Sequence, residues 1–76
     1  MKRGPMNVLL SLQEAPFTNF RLSGGPAAPV RLVRYEPNLA LPPYRVQHPQ
    51  GSVVRMSEII FRRWLGQCEF ELRRAR

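Results

Sequence analysis

The sequence predicts a small α+β domain: an antiparallel sheet, or partly open barrel, of about five strands, with one short helix near residues 57–65 before the last strand. Three observations lead there. Apolar and polar residues alternate with period two in several short segments, as strands with one buried face do. Pro49-Gln50-Gly51-Ser52 joins two of these segments as a hairpin turn, with Gly51 supplying a left-handed position. Between Ser57 and Gly66 the apolar residues recur at helical spacing instead.

In chain order, residues 1–5 read as a flexible basic leader, and Met6 offers an alternative start. Val8, Leu10 and Leu12 alternate with Leu9, Ser11 and Gln13, which predicts a first strand, broken by Glu14-Ala15-Pro16. Phe17 to Ser23 is a weaker strand, with Phe20 and Leu22 on one face. The stretch from Gly24 to Pro29 is a loop by composition. Val30 to Tyr35 is a strand whose Arg31 and Arg34 fall on opposite faces, so that one of them must snorkel. Glu36-Pro37-Asn38 is a turn, and Leu39 to Pro43 an extended connector.

Tyr44, Val46 and His48 then alternate with Arg45 and Gln47, and pair through the turn with Val53 to Met56. Ser57 is a good helix N-cap, Glu58 suits the positive end of the helix dipole, and Gly66 stops the helix at C′. At about 100° per residue, Ile60, Phe61, Trp64 and Leu65 share the arc expected to face the core. Arg62 and Arg63 lie on the other side, with Ile59 between them. Cys68, Phe70 and Leu72 alternate with Gln67, Glu69, Glu71 and Arg73 as the last strand. The chain reads as a single domain over 6–73 with a basic tail at 74–76.

At 76 residues the chain holds one domain with a thin stability margin, to which a partner or ligand can add. The net charge is +7; eleven of the twelve basic residues are Arg and all five acids are Glu. That charge favours nucleic acid or an acidic protein surface, and a guanidinium grips phosphate or carboxylate with two hydrogen bonds. A solvated basic surface with no ligand accounts for the same charges. Cys68 has no second cysteine to pair with, which points to a reducing cytosol. Val8 to Leu12 is too short for a signal-peptide core, and no stretch reaches the roughly 18 apolar residues of a membrane span.

Little supports catalysis or a cofactor. One His and one Cys without Asp cannot build a four-ligand metal site. His48 beside a turn and Cys68 on a core-facing strand do not suggest a nucleophile and base. Gly24-Gly25-Pro26 lacks the spacing and the Lys of a phosphate loop. Tyr35, Tyr44, Phe17 and Phe20 are not spaced like base-stacking residues and read as core. The basic residues carry the functional weight. The expected partner surface is Ile59, Arg62 and Arg63, extended by Arg73 and Arg74, because an exposed apolar residue flanked by arginines has the composition of an interface centre; the alternative is that the N-terminal segment or the 36–43 connector covers Ile59.

From residue 43 to residue 65 the marked positions are Pro43, Tyr44, Arg45, Val46, Pro49, Gly51, Arg55, Met56, Ser57, Glu58, Phe61 and Trp64. This strand–turn–strand–helix run resembles small bacteriophage and prophage accessory proteins, although Pro42-Pro43 stands where those often carry Gly-Asp. The resemblance implies a phage accessory protein that binds a host machine, in the host bacterial cytosol if phage-encoded; the residues add that it is non-enzymatic. Such a protein modulates or inhibits a host protein or nucleoprotein complex (transcription, nuclease or defence machinery) by occlusion. A direct nucleic-acid binder using the arginines is the alternative, and a structural component of a virion or ribonucleoprotein a third. No functional residue is carried over from the resemblance, and the sequence leaves the oligomeric state open.

Overall fold

A computed structural model of the chain describes residues 5–24, 29–67 and 71–74, and for Pro5 and Glu71 the backbone only. The element order is α1 (Pro5–Glu14), β1 (Phe20–Ser23), β2 (Arg31–Tyr35), β3 (Tyr44–Gln47), β4 (Val53–Met56), α2 (Glu58–Leu65) and β5 (Glu71–Arg74). The five strands form one open antiparallel sheet in the order β4-β3-β2-β1-β5. Strands β1 to β4 are a meander. The chain then passes through α2 and returns to the far edge, where β5 pairs with β1.

The expected first strand is instead a helix, so the domain has two helices rather than one. Residues 8–12 are nearly all apolar and satisfy both periods at once. Helical spacing prevails: Val8, Leu9 and Leu12 are fully or almost fully buried, while Leu10, which a strand would have buried with them, is 48% exposed. Local chemistry agrees, since Pro5 opens the helix with its φ already set, and Met, Leu, Gln and Glu are strong helix formers. Pro16 ends it, disfavouring helical backbone at Ala15. Phe17 then turns the chain with φ 61°, and its N–H reaches the Tyr35 carbonyl at 2.8 Å. Phe17 is half exposed, not a core residue as expected, and the strand begins only at Phe20.

Both helices lie on one face of the sheet. The core is Val8, Leu9 and Leu12 of α1 and Phe61 and Leu65 of α2, against Phe20, Leu22, Val33, Tyr44 and Val46 of the sheet. Tyr35, Met56, Trp64 and Leu72 pack around it. The hairpin forms as its turn predicts, with Gly51 at φ 100° and the His48 N–H bonded to the Ser52 carbonyl. Ser57 caps α2, its hydroxyl accepting from the Ile60 N–H at 3.4 Å. Gly66 does end α2, but with right-handed backbone (φ −70°, ψ −9°) rather than the left-handed turn expected of a C′ glycine. Ile60 leaves the predicted arc and is 48% exposed. The buried stripe of the helix centres on Phe61 and Leu65, and Ile60 falls on its outer rim. Cys68 and Phe70, and with them the first half of the predicted last strand, lie outside the described residues.

Candidate functional site

Aromatic packing fixes the orientation of α2. Phe61 stacks on Tyr44 at 4.5 Å between centroids and 7° between planes, and Tyr44 and Phe61 contact Tyr35 and Trp64 in turn. The Gln13 side-chain amide donates to the Tyr44 hydroxyl (2.8 Å) and to Glu58 Oε1 (3.0 Å), and the Tyr44 hydroxyl donates to the same Glu58 oxygen at 3.3 Å. Burial of the phenol, offset in part by the Gln13 bond and reinforced by the Glu58 charge, pushes the Tyr44 pKa up to about 12. Arg62 Nη2 lies 3.6 Å from Met6 Sδ, which ties α2 to the start of α1.

With Phe61 pinned, Ile59 stands about 200° around the helix from it and faces away from the core. It is 70% exposed, the most exposed of the large apolar side chains described, and Arg62 and Arg63 on either side of it are exposed too. This part of the predicted surface is therefore contiguous. The extension to Arg73 and Arg74 is not. That extension requires the last strand to lie beside the helix, but α2 packs on α1 and β4, whereas β5 sits at the opposite edge of the sheet. Arg73 points to the face that carries no helix. Arg74 points to the helix side, with its guanidinium 5.9 Å from the Phe20 ring. Arg76 lies outside the described residues.

The sheet face opposite the helices holds what the sequence reading missed. The register places Arg21 directly opposite Arg73, and Arg45 directly between Arg34 and Arg55. Five arginines thus share this face. Glu36, buried at 8% exposure, is clamped between two of them. It accepts from Arg55 Nη2 at 2.6 Å and lies 3.2 Å from Arg34 Nε, a charge contact without an aligned hydrogen bond. Arg55 Nε also donates to the Pro42 carbonyl, which anchors the 36–43 connector. Arg45 donates weakly to Gln47 at 3.4 Å. Toward β5 the face hollows into an open groove of about 1280 Å³, lined by Arg21, Ser23, Leu32, Gln47, His48 and Arg73 among others. The signal was present in the alternation: Arg21, Arg34, Arg45 and Arg73 each sit next to a core-facing residue and so face the other way.

Arg31 falls on the helix face, and it is the arginine that snorkels. Its guanidinium lies 5.6 Å from the centre of the Trp64 ring, and its Nε donates to His48 Nδ1 at 3.2 Å. His48 is accordingly half buried rather than a surface residue. Among the described residues no group of three or more His, Cys, Asp or Glu is placed to hold a metal, and no helix is long and apolar enough to cross a membrane. The class defined so far is a two-layer α+β domain with a helical layer on one side and an arginine-bearing sheet face on the other. Comparison with protein-family models, curated proteins and solved structures finds no match for the chain.

Proposed function

We propose that the protein is a non-enzymatic binding protein of the phage type, which modulates or inhibits a host protein or nucleoprotein complex in the bacterial cytosol by covering an acidic part of its surface. The observation that carries this reading is Ile59. A large apolar side chain standing 70% exposed between two exposed arginines lies outside the core, and it has the make-up of an interface centre. The arginines supply charge complementarity and speed encounter with an acidic partner. Ile59→Ser and the double reversal Arg62→Glu with Arg63→Glu test it. Each is expected to melt as wild type does and to lose a partner that wild type retains from nuclease-treated bacterial lysate. Capture of the same proteins by all three forms sinks the assignment of this face.

A second reading, a direct nucleic-acid binder, is favoured by a different observation: the arginines of the sheet face opposite the helices.

A further inference from the structure

We infer that the sheet face opposite the helices is a binding site for the phosphodiester backbone of a nucleic acid, with Arg21 and Arg73 as one contact row and Arg45 as the contact of the other, whose Arg34 and Arg55 are held by Glu36. The inference rests on the second reading above and is independent of the Ile59 contact.

The first argument is electrostatic. Like charges directly opposite one another on neighbouring strands destabilise a sheet. Here such contacts occur three times on one face, at Arg21–Arg73, Arg34–Arg45 and Arg45–Arg55. Glu36 is the one described carboxylate among them, and it is held by Arg34 and Arg55. Glu71 occupies the register position opposite Ser23 at the end of β5. Glu36 offsets Arg34 and Arg55, and with Arg21, Arg45 and Arg73 on the same face its overall character is positive and complements a polyanion.

The second argument is the make-up of the face. An interface for a folded protein is built around an apolar core with a polar rim. This groove has no such apolar centre of large side chains: Val30, Leu32 and Pro49 are interspersed with Arg21, Arg73, Arg74, Gln47 and His48. Arginine forks, Gln47, Ser23 and Asn19 supply donors, and Leu32 is half buried beneath them. Guanidinium groups with neutral amide and hydroxyl donors are the groups that contact phosphate oxygens. A volume of about 1280 Å³ accommodates a run of backbone rather than a single phosphate group.

The third argument fixes the mode. Phe20, Tyr35 and Tyr44 are on the helix side of the sheet, and Phe61 and Trp64 are in α2. Among the described residues no Phe, Tyr or Trp lines the groove, and the one aromatic ring that does, His48, is held by Arg31. Recognition is by backbone charge and tolerant of sequence, so it is steeply salt-dependent.

The test uses fluorescently labelled 12-nucleotide single strands and 12-base-pair duplexes of two unrelated sequences, titrated between about 50 and 200 mM salt. Binding through about four phosphates gives a log–log salt slope of about −3 for single strands, or about −3.6 for duplex, whichever is bound. Arg21→Gln with Arg45→Gln removes one arginine from each row and leaves the Glu36 clamp intact. It is expected to melt as wild type does, to bind at least about tenfold more weakly at low salt, and to reduce the slope by about 1.5. The Arg62→Gln with Arg63→Gln variant is expected to bind nucleic acid as wild type does. The inference is overturned by salt-insensitive or absent binding, by unchanged binding of the sheet-face variant, or by equal competition by polyglutamate. Loss of binding in the helix variant alone also overturns it, and moves the site to α2. Because the sheet-face variant keeps Ile59, failure here leaves the protein-partner reading standing.

Discussion

The ring of Phe61 lies almost parallel on that of Tyr44, 4.5 Å away, and this contact joins α2 to the middle of the sheet. Both side chains are essentially inaccessible. Phe61→Ala is therefore expected to cost about 3–5 kcal/mol, enough to unfold so small a domain. Trp64→Ala, at a half-buried position, is expected to cost about 1–3 kcal/mol and leave a folded protein. Urea denaturation followed by circular dichroism orders the two; the reverse order contradicts the packing described.

The same Tyr44 makes the fold sensitive to alkali. Its folded pKa, about 12, lies above the ordinary value of 10.0. The raised pKa means that its contribution is complete below pH 10 and is lost as pH rises through about 12, since the unfolded chain releases the phenolic proton first. Stability measured by urea midpoint is expected to fall between pH 10 and about 12. Tyr44→Phe is expected to flatten that fall. At neutral pH it is expected to cost only about 1 kcal/mol, because Gln13 and Glu58 stay bonded to each other.

Glu36 is the counter-ion that lets Arg34 and Arg55 lie near each other beneath the 36–43 connector. Glu36→Gln removes the charge and keeps the shape. The expected loss is about 2–3 kcal/mol, below that for a fully buried pair because the two arginine side chains are 27% and 20% exposed. A double-mutant cycle with Arg55→Met measures the coupling; additivity within about 0.3 kcal/mol means that the clamp adds no stability.

The glycines that end the hairpin and the second helix are expected to respond with opposite signs. Gly51 has φ 100°, so Gly51→Ala forces a side chain into the left-handed region and is expected to cost about 1–2 kcal/mol. Gly66 has helical backbone, and an added Cβ meets nothing nearer than the Arg62 carbonyl oxygen at 3.4 Å. Gly66→Ala is expected to be neutral or stabilising by up to about 1 kcal/mol, through lower entropy of the unfolded chain. Thermal melts of the two variants check the signs.

The elements with strict local signals were readable in the sequence. Alternation in 44–47, the Gly51 turn that brings 53–56 back as its partner strand, and the Ser57 cap each specify one conformation, and the structure has them in place. Residues 8–12 were not readable, because four apolar residues in five positions fit a strand face and a helix face equally. The choice is made by tertiary contact of Val8, Leu9 and Leu12 with the sheet. Ile59 was legible because the helix phase alone places it away from Phe61. Ile60 was not, since the exact roll of α2 depends on α1 lying beside it. The arginine rows were illegible for a related reason. Each arginine's facing follows from its own strand, but the register that aligns Arg45 with Arg34 and Arg55 is a property of three strands together.

The strand order also sets a sequence of events in time. Strands β1 to β4 pair with near neighbours along the chain, whereas the residues joined between β1 and β5 are 48 to 54 positions apart. Closing a loop of that length costs more entropy than closing a hairpin, so this pairing is slow to nucleate. As the chain folds, the meander can assemble while β1 still lacks its second neighbour, and the backbone groups of β1 wait at a temporary edge until β5 pairs. Arg21 gains Arg73 beside it only at that last step. The two-arginine row is thus a feature of the finished fold, and any chain halted before β5 presents half of it.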